Sequence, residues 1–253
     1  MEDLAISFDI LAVLFFIVAL AYSSVGLGGG SSYVALMTIF GINYLVVPVI
    51  SLTLNLLVTT IGSFNFLRKR HGRLRLILPF FVSSIPMAYV GGLLKVGVEI
   101  FQWLLLLSLV IVILRIYFWK SVSLRLDLTQ SQKISVALLV GSVLGLVAGI
   151  VGIGGGIYLV PLIIILGLGT EKEAAACGAI FVWVNSLSGL AARIQHNPID
   201  LTEIIPLIIA VLSGGFIGSF MGSSRFSPAA MQQILGAIIV IAVILLSRKM
   251  FFL

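Results

Sequence analysis

Gly26-Leu27-Gly28-Gly29-Gly30-Ser31-Ser32 closes one long apolar run, and Gly152-Ile153-Gly154-Gly155-Gly156-Ile157-Tyr158 closes another. Each block opens a short apolar segment that ends at a further glycine: 31–40 before Gly41, and 157–166 before Gly167. Ten residues of helix reach about 15 Å, half of a bilayer crossing. Sliding residues 26–42 by 126 positions onto 152–168 gives eight identities in seventeen, four of them in the glycine block. Arg68-x-x-His71 and Arg193-x-x-His196 follow at an offset of 125. The chain therefore reads as an internal duplication.

Composition says what is duplicated. Of the 253 residues 60% are hydrophobic and 9% charged, and the mean hydropathy is +1.26. Soluble domains carry about 25% charged residues. So little charge cannot cover a water-facing surface, which excludes a soluble enzyme, a nucleic-acid binder and a disordered regulator. The partner is the lipid bilayer, with room for about eight or nine crossings. The acidic start (Glu2, Asp3, Asp9) lacks the basic region of a cleavable signal peptide, so the first apolar segment is expected to stay as a membrane helix. One cysteine, Cys177, allows no internal disulfide.

Working outward from the glycine blocks, helices are expected at about 6–24, 44–67, 76–94 and 100–119, then 134–151, 174–194, 201–222 and 228–247. The fold class is an all-α integral membrane protein. Its expected units are a first repeat (1–120), a cytoplasmic linker (121–133) and a second repeat (134–253). Each repeat holds three full crossings plus a helix and half-helix broken at GxGGG. The loop after the second helix carries Arg68, Lys69, Arg70, Arg73 and Arg75 and is expected to be cytoplasmic. The linker then also falls inside, and the second repeat starts from the opposite side of the membrane. That is an inverted-topology repeat, common in secondary transporters. Arg248 and Lys249 sit at a C-terminus that this count places outside.

Irregular backbone at membrane depth persists only inside protein or beside a wet cavity. The free N–H groups of a half-helix start carry partial positive charge and suit an anion. Candidate substrate contacts are therefore Gly28, Gly29, Gly30, Ser31 and Ser32, with Gly154, Gly155, Gly156 and Ile157. Helix packing is the alternative, since Gly26/Gly30 and Gly152/Gly156 have GxxxG spacing. The 125 offset also aligns Thr60 with Asn185 and Ser63 with Ser188, expected as one polar face from each half. Arg68 and Arg193 end those helices, as anion-attracting pathway mouths or as interfacial anchors. His71 and His196 are proton-coupling groups or solvated loop histidines. No metal cluster, nucleophile triad or Walker motif is present, so no cofactor and no catalysis are expected.

The doubled block, the stretch Gly152 to Leu162 with Pro161, Asn185-Ser186-Leu187-Ser188-Gly189 and Asn197-Pro198-Ile199-Asp200 together resemble the TauE/SafE sulfite exporter family across essentially the whole chain. Ala35 stands where the second copy has Pro161. The resemblance implies a multi-pass protein of the inner or plasma membrane that exports a small sulfur-containing anion such as sulfite or an organosulfonate. The single Cys177 lowers a thiosulfate-importing role, for which some members of that family use several cysteines. An anion channel and a non-transporting subunit that docks a partner remain alternatives. Two halves suffice for a monomer, and a homodimer stays open.

Overall fold

The computed structural model describes residues 8–69, 74–118, 129–166, 168, 170–195, 201–224 and 228–252. Among them there is no strand. The helices are α1 (Phe8–Ser24), α2 (Gly30–Ile39), α3 (Val47–Arg68), α4 (Leu74–Leu93) and α5 (Val98–Phe118). They continue with α6 (Gln130–Val151), α7 (Gly156–Ile165), α8 (Glu171–Arg193), a 3-10 turn (Leu201–Ile204), α9 (Ile205–Ser224) and α10 (Pro228–Phe252). The two short segments expected after the glycine blocks are α2 and α7, of ten residues each. His71, His196, residues 121–128 and the Asn197 to Asp200 turn lie outside the described residues.

Among the described residues, five helices are long and apolar enough to cross a membrane: Val47–Arg68, Val98–Phe118, Ile134–Val151, Lys172–Arg193 and Ile205–Ser223. At 1.5 Å per residue a 22-residue helix is about 33 Å long, the thickness of a hydrocarbon core. Their outward faces are apolar. Ile100, Trp103, Leu107, Ile111, Leu114 and Phe118 of α5 recur at helical spacing and are all exposed. Such a stripe is untenable in water and ordinary against lipid. Several polar residues are turned inward: Ser51, Asn55, Thr59, Asn185 and Ser186 are buried. This is the multi-pass membrane protein that the composition requires.

Glycine sets the packing. α4 lies on α6 and α8, α9 lies on α1 and α3, and α3 meets α8. Gly141, Gly145 and Gly149, four residues apart on α6, press on the backbone of α4 at Phe80, Ser84 and Ala88. Gly214, Gly218 and Gly222 on α9 do the same to α1 at Phe16, Leu20 and Ser24. At most of these glycines a Cβ would run into a backbone carbonyl oxygen. Without a hydrophobic drive between helices in lipid, such close approach is what holds them together.

α6 starts at Gln130, inside the stretch expected as linker. Thr129 accepts from the Gln132 amide, and the Gln132 side chain accepts from the Thr129 amide. This capping box satisfies two of the amides that a helix start leaves open, so a polar first turn can precede the apolar run. Thr170 and Glu173 start α8 in the same way.

Candidate functional site

The glycine breaks are built from left-handed backbone. φ is +77° at Gly26 and +93° at Gly29, then +83°, +73° and +78° at Gly152, Gly154 and Gly155. Residues with a Cβ rarely adopt these values, so the breaks require glycine. Gly29 and Gly155 are the N-caps of α2 and α7, and neither start has a side-chain cap. The first amides to bond within the helices are those of Ser32 and Tyr33 to the Gly29 carbonyl, and of Tyr158 and Leu159 to the Gly155 carbonyl. The amides just before them are the ones a helix start leaves open. α6 and α8 close theirs with threonine; α2 and α7 do not.

The two starts converge on one side chain of α3. A Cβ on Gly28 would run into Oδ1 of Asn55, and one on Gly30 into its Nδ2. A Cβ on Gly154, in the other break, would lie 3.3 Å from the same Nδ2 and 3.0 Å from Oγ of Ser186. Asn55 is completely buried. Neither end of its carboxamide has a hydrogen-bond partner, and Oγ of Ser186 and the hydroxyl of Tyr33 have none either. The ring of Tyr33 stands over Gly29, about 2.7 Å from where its Cβ would be. One turn before Asn55, Oγ of Ser51 is 2.7 Å from the carbonyl of Gly152 and 3.3 Å from that of Gly30. Its single proton ties the breaks together at one carbonyl or the other.

Other expected contacts lie differently. Ser31 and Ser32 face the hydroxyl of Tyr22, at 2.9 and 2.7 Å, instead of standing open beside the break. Gly155 lies against the ring of Phe181 and Gly156 against Val182. Ile157 is buried in the apolar core. Thr60 is exposed and Ser188 half-buried: Nε1 of Trp183 donates to Thr60 at 3.0 Å, and Ser188 donates to the Ile85 carbonyl at 2.6 Å. Nδ2 of Asn185 donates to the Phe181 carbonyl of its own helix, leaving Oδ1 buried without a partner; Oγ of Ser63 is also buried and unpartnered. None of the four residues aligned by the repeat is among the side chains nearest to the glycines of the breaks.

The two arginines also differ. Arg68 is exposed. Arg193 is buried, and its guanidinium donates to the carbonyls of Gly149 (Nε 3.2 Å, Nη2 2.8 Å) and Ile150 (Nη2 2.7 Å) at the end of α6. Lys249 serves α2 likewise, with Nζ donating to the carbonyls of Thr38 at 2.6 Å and Ile39 at 3.2 Å. A cation suits the negative end of a helix. Among the described residues no group of three His, Cys, Asp or Glu could share a metal ion.

On sequence alone Asn55 is one of several polar residues on its helix, beside Ser51, Thr59, Thr60 and Ser63. Its counterpart at the 125 offset is Ile180, so a search for matched pairs passes over it. The signal that finds it is depth: it is the one amide on α3 that falls a third of the way along the crossing.

Comparison with known proteins agrees with this architecture. Residues 11–249 match the sulfite exporter TauE/SafE family. The chain is 32% identical over 238 residues to "Probable membrane transporter protein y4hK" of Sinorhizobium fredii, covering 92% of this chain and 95% of that one. It is 25% identical over 242 residues to "Probable membrane transporter protein YunE" of Bacillus subtilis, covering 84% and 88%. No solved structure matches. The chain belongs to the sulfite exporter TauE/SafE family of membrane transporters.

Proposed function

We propose that this TauE/SafE-family protein is a secondary transporter that exports a small sulfur-containing anion, sulfite or an organosulfonate. The anion sits where the starts of α2 and α7 meet Asn55. The observation that carries this reading is that convergence: two helix starts without side-chain caps and a fully buried carboxamide with both ends unpartnered.

The electrostatics favour a single negative charge. Each helix start is equivalent to about half a positive charge, so two supply about one. No acidic residue stands on α2, α3 or α7 to oppose it. The open amides supply donors to anion oxygens. Asn55 adds one donor group and one acceptor, whichever way its amide is turned. Chloride could use the donors only; an anion with both oxygens and an O–H or N–H could use both ends.

Alternating access follows from two inverted halves rocking about the site. The crosswise packing supports such a relation. α4 of the first half covers α6 and α8 of the second, while α9 of the second covers α1 and α3 of the first. α3 and α8 meet between them, so a movement of one half against the other passes through the helix that bears Asn55.

Asn55→Leu tests the reading, because leucine has the same branching of side-chain heavy atoms and no polar atom. Sulfite or sulfonate flux into proteoliposomes should fall at least tenfold in protein that remains folded. Unchanged flux in that variant would remove Asn55 from the site.

A further inference from the structure

A cavity of about 160 Å³ lies beside Arg193, where α3 begins and α4 ends. Its wall includes Tyr44, Pro48, Lys95, Ile150 and Arg193. The charged residues lining it are both cations. The α6 carbonyls take three of the five guanidinium N–H groups of Arg193, leaving the two on Nη1. The end of α6 offsets about half of the charge. The remainder faces a space with room for several waters or one small oxyanion.

The cavity also points along α3 to the cradle. Pro48 is in its wall, and the Pro48 backbone lies against Gly152 of the second break. Ser51 is one turn further and bonds at the carbonyls of Gly152 and Gly30. Asn55 is one turn beyond that. Seven residues of helix are about 10 Å, so one face of α3 joins the cavity to the convergence point.

We propose that this cavity is a second anion site, an outer vestibule of the same pathway that holds a small singly charged oxyanion or sulfonate, with Arg193 as its counter-charge. The cradle reading supplies only the inner end of that pathway; binding in the vestibule stands on the cavity and its cations.

The test needs no transport. Leu45 lines the cavity and is 41% exposed, whereas the chain's single cysteine, Cys177, is fully buried. In a Leu45→Cys protein reconstituted in nanodiscs, modification rates are measured with an anionic and a cationic methanethiosulfonate reagent. Ethanesulfonate, which does not react with either, is the competing anion. It should slow the anionic reagent several-fold. Arg193→Gln should lower the anionic-to-cationic rate ratio several-fold and remove the protection, and Arg193→Lys should keep most of both. An unchanged ratio in Arg193→Gln, or no protection with Arg193 in place, would overturn the proposal. The protection measurement leaves Arg193 untouched, so it decides even where Arg193→Gln does not fold. Counterflow can fail while protection persists, and the reverse, so the vestibule and the cradle are judged separately.

Discussion

Asn55 is held in place by its surroundings, not by bonds of its own. Its carboxamide is fully buried beside Gly28, Gly30 and Gly154 with no partner at either end. A buried polar group left unpaired costs about 1–3 kcal/mol. Replacing it by a shape-matched apolar residue should therefore leave stability unchanged or raise it. Asn55→Leu is expected to show a melting temperature at or above that of the parent together with lost flux, and differential scanning fluorimetry beside the flux assay checks the pair. A purely structural asparagine would lose stability instead. Ser51→Ala makes the opposite case, because it strips the bond to the Gly152 carbonyl. Interhelical hydrogen bonds in membranes are worth about 0.6 kcal/mol on average. A small drop in melting temperature with a larger loss of transport is expected, since Ser51 sets the spacing of the two breaks. At this scale the sequence was partly legible. The glycines could be read because their spacing repeats. Asn55 could not, because it serves both breaks from one half and has an isoleucine as its counterpart. Thr60, Ser63, Asn185 and Ser188 align by the repeat, yet none of them is among the side chains nearest to the break glycines.

Two kinds of helix start contrast. Those of α6 and α8 carry Thr-x-x-Gln and Thr-x-x-Glu capping boxes. Those of α2 and α7 begin at left-handed glycine with no side-chain cap. The first kind is structural: Thr170→Ala should cost about 1 kcal/mol and lower the melting temperature by about 2–4 °C, with transport by the folded fraction intact. The second kind leaves donors open where a ligand can use them. Glycine stripes are the other device at this scale. Gly218 meets the Leu20 carbonyl and Gly145 the Ser84 carbonyl. The obstacle in each is backbone, which cannot swing aside. Gly218→Leu should therefore cost more than the 1–3 kcal/mol typical of overpacking, and size-exclusion chromatography in detergent should show loss of the monodisperse peak. A normal peak would mean that α1 and α9 can part without harm. Both devices were written in the sequence, as T-x-x-[QE] before an apolar run and as glycine at every fourth position. The half-length of α2 and α7 was legible from the glycines that bound them. The start of α6 was not, because polar composition at 130–133 suggested linker where a capping box was at work.

The whole molecule is a helix bundle with apolar stripes on the outside and a mainly apolar interior that also holds serine, threonine and asparagine. That much follows from 9% charge and 60% hydrophobic residues. The packing is crosswise along the chain: α4 lies on α6 and α8, and α9 lies on α1 and α3. Arg193 fastens the end of α6 and Lys249 the end of α2. The membership of the TauE/SafE family was legible from the doubled glycine block, and the crosswise assembly was not, since sequence order says nothing of which helices meet. The central claim is that these halves carry one sulfur anion between them. Counterflow in proteoliposomes containing only this chain tests it most directly. Vesicles are loaded with unlabelled sulfite, thiosulfate, sulfoacetate or sulfate and given a trace of the same labelled anion outside. The account predicts transient accumulation above equilibrium with sulfite or the organosulfonate, and none with chloride. No accumulation of any sulfur anion, by protein shown to be folded and inserted, would contradict it.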